Sequence, residues 1–266
     1  MNLRKAVVLL LLVSLFLARP SFALERANLL FYLPFEGSVT PVILQGSPEI
    51  KLTDFSFPFE GSFKATDGAL RGDDNAGGKK DNGITFVPGR KGLGLKVTEN
   101  LSRSKVYSYP CAQYLTSESF SRREGTLSVW IKPIGWDGDE ANHRYFIAAT
   151  SDNCVIRFYI YGFNTAAWVD GADNYVLVGG GKWQGWEEDT WAFLAFTYKP
   201  GQQCFYINGQ LMIAMTDGLI EPEFSQTGIV EISEGSQVVD ELMIFDRVLP
   251  EKEIRAIYKA NLPEGL

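Results

Sequence analysis

The dipeptide Asn208-Gly209 stands between two runs of strand-favouring residues, Gln203 to Ile207 and Gln210 to Met215. Both central positions of a type I′ turn need a positive φ. Asn tolerates that conformation and Gly adopts it freely, so the pair predicts an antiparallel hairpin. A hairpin cannot stand alone in water and must bury one face against further structure. The rest of the sequence offers strands for that purpose. Apolar or alternating runs extend from Leu29 to Phe35, Ile84 to Val87, Thr126 to Lys132, Arg144 to Ala149, Val155 to Tyr161, Trp191 to Tyr198, Ile229 to Ile232 and Gln237 to Phe245. Glu36-Gly37, Pro88-Gly89 and Lys199-Pro200-Gly201 close several of them as turns. In Thr126 to Lys132, Leu127, Val129 and Ile131 share one side, while Thr126, Ser128, Trp130 and Lys132 share the other. That period of two predicts one face toward a core and one toward solvent.

One helix is predicted, from Pro250 to Lys259. Proline suits its first turn, Glu251 and Glu253 its N-terminus, Lys259 its C-terminus, and Ile254 and Ile257 give it an apolar side. Short strands every ten residues or so, with almost no helix, predict an all-β sandwich or jelly roll. Residues 51–82 break the rhythm. They are polar and glycine-rich in their second half, as in Gly72-Asp73-Asp74 and Gly77-Gly78-Lys79-Lys80, and read as an inserted loop region. A second loop is expected between Ile134 and His143.

The N-terminus has the three parts of a secretory signal peptide: Arg4 and Lys5, an apolar run from Ala6 to Ala18, and small residues at Ser21 and Ala23. The run is too short to span the ~30 Å hydrocarbon core of a bilayer, and no second apolar stretch approaches that length. Residues 1–23 are thus expected to be cleaved, leaving a single domain over 24–266 that is secreted, cell-surface or periplasmic. Cleavage would remove Arg4, Lys5 and Arg19, making a formal charge of −7 still more negative. Nucleic acid is a poor partner for so acidic a protein. Asn100-Leu101-Ser102 fits an N-glycosylation acceptor if the source is eukaryotic.

Three cysteines, Cys111, Cys154 and Cys204, leave at least one thiol outside any intramolecular bridge. Cys154 shares strand phase with Ile156, Phe158 and Ile160 and is expected in the core. Cys204 shares phase with Tyr206 and is expected to face outward, which argues against a bridge between the two.

Carboxylates at alternate strand positions, the Glu-x-Asp-x-Glu spacing that would place two carboxyl groups for retaining glycoside hydrolysis, are absent from the sequence. Only one histidine, His143, is available to a triad, and no Gly-x-Ser-x-Gly elbow accompanies it. No enzymatic activity is expected. A cryptic glycoside hydrolase or polysaccharide lyase is the least favoured reading.

The ordered blocks resemble the laminin-G-like domains of the concanavalin A-like lectin/glucanase superfamily, especially the bacterial three-part type. The resemblance is carried by Leu29 to Gly37, Phe86 to Leu95, Glu124 to Pro133, Trp191 to Tyr198 with Phe205 to Gly209, and Val239 to Leu249 running into the helix. It implies a jelly-roll β-sandwich of two antiparallel sheets with one short C-terminal helix. It also implies a calcium site where the end of the first strand approaches the last, with Glu36 and Asp240 at the matching positions. Many relatives carry Asp where this chain has Glu36.

Aromatic rings stack on the C–H faces of sugars, and arginine anchors hydroxyls or carboxylates. In Cys154 to Tyr161 the side opposite the core carries Arg157, Tyr159 and Tyr161. Trp130 joins them if both strands share a sheet, and Trp168 is a further candidate, as are Trp183 and Trp186. The expected function is therefore a secreted carbohydrate- or protein-binding module, with calcium as a stabiliser. The alternative is a structural or adhesion protein of the cell surface acting through protein contacts.

Overall fold

Alternation along the strands resolves into two stacked antiparallel sheets. The computed structural model describes residues 28–44, 63–66, 69–72, 84–97, 110–117, 123–137, 143–151, 154–161, 164–170, 175–182, 185–222, 224, 227–233 and 236–260. The signal-peptide region, Asn100, Trp183 and most of residues 51–82 lie outside them, as do the side chains of Cys111, His143 and Tyr161.

In chain order the elements are β1 (Leu29–Leu33), β2 (Ile43–Leu44), β3 (Phe63–Thr66), β4 (Ala69–Gly72), β5 (Ile84–Pro88), β6 (Leu93–Val97), β7 (Pro110–Ser117), β8 (Gly125–Pro133), β9 (His143–Ser151), β10 (Cys154–Tyr161), β11 (Asn164–Asp170), β12 (Tyr175–Lys182), β13 (Ala192–Lys199), β14 (Gln202–Ile207), β15 (Gln210–Met215), β16 (Thr227–Ser233), β17 (Gln237–Phe245) and α1 (Glu251–Ala260). One sheet runs β15-β14-β13-β8-β17-β1-β2, with β6 also on β17 and β5 on β6. The second runs β12-β11-β10-β9-β16-β7, and β3 pairs β4 separately. The region read as an inserted loop therefore contributes a two-stranded ladder, with Thr66 opposite Ala69. His143 opens β9 rather than closing a loop, since it pairs with Tyr161 across the ladder.

The β14–β15 hairpin turns at Asn208 (φ 51°) and Gly209 (φ 73°), as the type I′ turn requires. Asn208 Oδ1 also accepts the Phe193 N–H at 2.9 Å, tying the turn to β13.

The main core lies between the sheets. Leu127, Val129 and Ile131 face Phe146, Ile156 and Phe158 across it, and Cys154 is among its members. Trp186 belongs to this core as well: its ring lies 5.3 Å from Phe146, and its Nε1–H donates to Thr165 Oγ1 at 2.7 Å.

The other face of the nine-stranded sheet is not the solvated face that the alternation predicts. Trp130, Phe193, Tyr206, Met243 and Phe245 form a second cluster, covered by Ile254 and Ile257 of α1. Cys204 points to this outer face as its phase predicts, yet α1 and its neighbours leave it buried. Cys154 and Cys204 are on opposite faces of different sheets and are not bridged.

Thr126 pins the turn into α1. Its hydroxyl donates to the Arg247 carbonyl at 2.8 Å and accepts the Leu249 N–H at 2.9 Å.

Candidate functional site

The residues singled out in the sequence separate into two places. Trp130 sits on β8 in the nine-stranded sheet, whereas Arg157, Tyr159 and Trp168 sit on β10 and β11 in the six-stranded one. The two strands do not share a sheet, so Trp130 does not join the others. It is 1 % exposed, with the Arg90 guanidinium 4.5 Å from its ring centroid and Tyr258 of α1 stacked on it at 5.4 Å. Its work is to seat the helix.

On the six-stranded sheet, Ile156, Phe158, Ala167 and Val169 turn into the core. Arg157, Tyr159 and Trp168 consequently turn outward. A β-bulge in β9 changes the phase of that strand, so Ile147 opposes Phe158 while Tyr145 opposes Tyr159. Tyr145 thereby joins the outer face. The rings then form a continuous path across four strands. Tyr145 stacks on Tyr159 at 6.0 Å, Tyr159 meets Trp168 edge-on at 5.7 Å, and Trp168 stacks on Tyr175 of β12 at 4.5 Å.

Exposure divides the labour along this path. Tyr159 is 3 % exposed, so it is a floor that orients its neighbours rather than a contact surface. Burial pushes its hydroxyl pKa up to about 12, with Tyr145 and Tyr175 adding to the shift, and it stays neutral at physiological pH. Tyr175 is 55 % and Leu177 40 % exposed, while Tyr145, Arg157 and Trp168 are partly exposed. Arg157 lies directly across the ladder from Trp168 on one side and Ala148 on the other. The face thus offers rings, one cation and an apolar edge. Tyr161 continues the same strand, with Asn164 and His143 opposite it.

The second place is the junction of the first and last strands. β17 pairs β6 through Gln237 to Val239 and β1 through Leu242 to Phe245. Between these stretches its register against β8 shifts, and Glu241 takes a φ of 51°. Phe35, just beyond β1, is also left-handed at φ 57°. Asp240 fills the gap. Its Oδ2 accepts the backbone N–H groups of Arg90 (2.7 Å) and Lys91 (3.0 Å), and its Oδ1 accepts that of Glu241 (2.9 Å). Glu36 Oε2 accepts the Leu93 N–H at 3.1 Å. Tyr32 donates its hydroxyl to Glu241 Oε2 at 2.8 Å.

Glu36 and Asp240 are therefore both bonded to the loop 88–94. Calcium takes six to eight oxygen ligands. Here three backbone N–H donors already point at the Asp240 carboxylate. Among the described residues no group of three or more His, Cys, Asp or Glu side chains is placed to hold a metal ion. The set of described donors to Asp240 is backbone N–H. It suits a carboxylate that fastens the loop 88–94 to the last strand. Burial pushes the Asp240 pKa up to about 7, against the lowering effect of the Lys91 N–H bond, with Glu241 raising it further. Glu241 is raised as well, mainly by burial.

A laminin-G family model, described as the concanavalin A-like lectin/glucanases superfamily, matches residues 111–255, more than half of the chain. The chain belongs to the concanavalin A-like lectin/glucanase superfamily. The matched stretch runs from β7 into α1 and contains the whole aromatic path of this lectin-like domain.

Solved structures agree on the fold. Domain 4 of AbnA, a GH43 extracellular arabinanase from Geobacillus stearothermophilus solved with arabinotriose, is 17 % identical. It aligns over 87 % of this chain and 98 % of its own, with a TM-score of 0.58. The binding domain of Paraclostridial Mosquitocidal Protein 1 is 16 % identical over 88 % of this chain and 52 % of its own, at 0.58. Botulinum neurotoxin type C, in a structure concerned with two ganglioside molecules, is 14 % identical over 91 % and 53 %, at 0.59. The lectin-like chain spans about half of each toxin chain. No curated protein matches the sequence.

Tyr145 and Tyr175 were not among the residues singled out from the sequence. Tyr145 is hidden by the bulge, which breaks simple alternation. Tyr175 begins the alternating run Tyr175-Val176-Leu177-Val178, a strand signal that Gly179-Gly180-Gly181 cuts short.

Proposed function

We propose that this lectin-like domain is an exported carbohydrate-binding module without catalytic activity, and that it takes glycan on the outer face of the six-stranded sheet. The observation that carries the reading is the path of rings from Tyr145 through Tyr159 and Trp168 to Tyr175, with Arg157 beside it. Stacking of a sugar's C–H face on an aromatic ring needs a ring held flat and rigid. Here each ring is held by the next. The complex of AbnA domain 4 with arabinotriose and the neurotoxin's interaction with two ganglioside molecules lend weight to a glycan on the same fold, although fold alone does not fix function.

The non-catalytic part rests on the carboxylates. Asp240 and Glu241 are buried on the helix side, and Glu231, on the ligand side, is engaged with Thr150 at 3.3 Å. Export rests on the tripartite N-terminus, and intact mass of the secreted protein would test it by locating the new N-terminus at Leu24.

A glycan array probed with the purified protein, followed by titration of the best hits, tests the binding reading. Trp168→Ala and Tyr175→Ala are expected to abolish or weaken binding while the protein stays folded. If no glycan binds, and the protein instead captures a cell-surface protein through Tyr175 and Leu177, the adhesion reading replaces this one.

A further inference from the structure

Resting on the glycan-binding reading, we infer that the ligand carries a carboxylate, as a uronic-acid unit does, and that Arg157 selects it. Arg157 is partly exposed on the aromatic face, and no hydrogen bond or ion pair joins it to another described residue. Its lateral neighbours in the ladder are a methyl group, Ala148, and an indole, Trp168. The acid in the same row, Glu231, lies one strand further on, opposite Ala148. It is occupied with Thr150. Asp170 takes the diagonal register position, opposite Val155.

Two other described arginines differ in this respect. Acids outnumber bases 32 to 25, so a basic side chain here has acidic partners available. Other arginines use them: Arg247 holds Glu253 at 2.6 Å, and Arg255 pairs with Glu251. Arg157 instead stands opposite Trp168 and two positions from Tyr159 on the outer face, partly exposed. A planar carboxylate matches the guanidinium fork with two parallel N–H···O bonds, whereas a hydroxyl satisfies only one donor direction. A sugar stacked on Trp168 and Tyr175 would bring a ring substituent beside Arg157, since directly opposed residues on a ladder have Cβ atoms about 5 Å apart. The overall acidity of the protein works against long polyanions at a distance, so recognition is local: one carboxylate on one unit.

Matched oligosaccharide pairs test this. The purified protein would be titrated calorimetrically at low salt with oligogalacturonate and its full methyl ester. Glucuronate-bearing xylan oligosaccharides and their carboxyl-reduced forms make a second pair, and neutral arabinan and glucan oligosaccharides complete the panel. The acid form of at least one pair is expected to bind about tenfold more tightly than its neutral partner. Arg157→Gln should bring the two forms together, lowering the acid form's affinity by clearly more than the neutral form's. Trp168→Ala should weaken both. If the wild type binds neutral and acid forms alike, or only neutral ones, or if Arg157→Gln keeps the preference, the acid inference falls and glycan binding stands. If no member of the panel binds, both fall.

Discussion

Asp240, on the last strand, accepts the backbone N–H of Arg90 at 2.7 Å across 150 positions of sequence. With the Lys91 and Glu241 N–H groups, this bond closes the gap in β17's edge between β1 and β6. The carboxylate is 0 % exposed, and its pKa of about 7 sets a pH dependence. A folded-state pKa above the unfolded value means that the native state binds the extra proton. The resulting stability is fully present below about pH 4 and is lost as pH rises through about 7. Asn cannot titrate. The stability of the wild type relative to Asp240→Asn should therefore decline across that window, by at most about 1.4 kcal/mol per pH unit. Urea unfolding of both proteins from pH 4.5 to 8 would measure it. A difference that grows with pH would refute the assignment.

The loop fastened by Asp240 sets Gly92 against the Glu36 side chain. Its φ is +62°, and a Cβ there would lie 2.1 Å from the Glu36 carboxylate oxygens. Gly135 has a similar φ of +70° with nothing within 4 Å. Gly135→Ala should cost only the left-handed backbone penalty, about 1–2 kcal/mol. Gly92→Ala should cost only slightly more, because the exposed Glu36 carboxylate can swing aside and need only release the Leu93 N–H. Chemical denaturation of the pair separates steric from conformational cost.

Two tryptophans with the same outward strand phase should respond oppositely. Trp130→Ala removes the ring that meets Arg90 and Tyr258 under α1 and is expected to cost roughly 3–5 kcal/mol, leaving glycan affinity intact wherever the variant folds. Trp168→Ala should lose affinity at a smaller cost in stability. Melting curves and titrations on both variants decide between these assignments.

Thr126 is buried, and its hydroxyl bridges Arg247 and Leu249. Thr126→Val keeps the shape but strands a carbonyl and an N–H. A loss of about 1–3 kcal/mol is expected, appearing first as faster amide exchange in α1.

Because the Asp240 carboxylate is engaged by N–H donors, excess EGTA should not shift the melting temperature from its value in millimolar calcium. A fall of several degrees, reversed by calcium, would restore Glu36 and Asp240 as ligands.

Strand phase was legible from local pattern alone. The alternation in Thr126 to Lys132 placed Leu127 and Val129 toward the core, the Asn208-Gly209 turn carried its hairpin, and Pro250 with its acids marked the helix. Phase is fixed by covalent geometry, which sends successive side chains to opposite sides whatever the strand's neighbours. The same geometry says nothing about which sheet a strand joins or what later covers it. Trp130 and Trp168 read alike in sequence. Only the tertiary structure laid α1 over the first and left the second on an open aromatic face, because pairing and coverage depend on contacts between segments distant in the chain. The bulge that turned Tyr145 outward, and the gap in β17 that Asp240 fills with the loop 88–94, were decided at the same level. Each arises from the register between strands, not from the residues of any one strand.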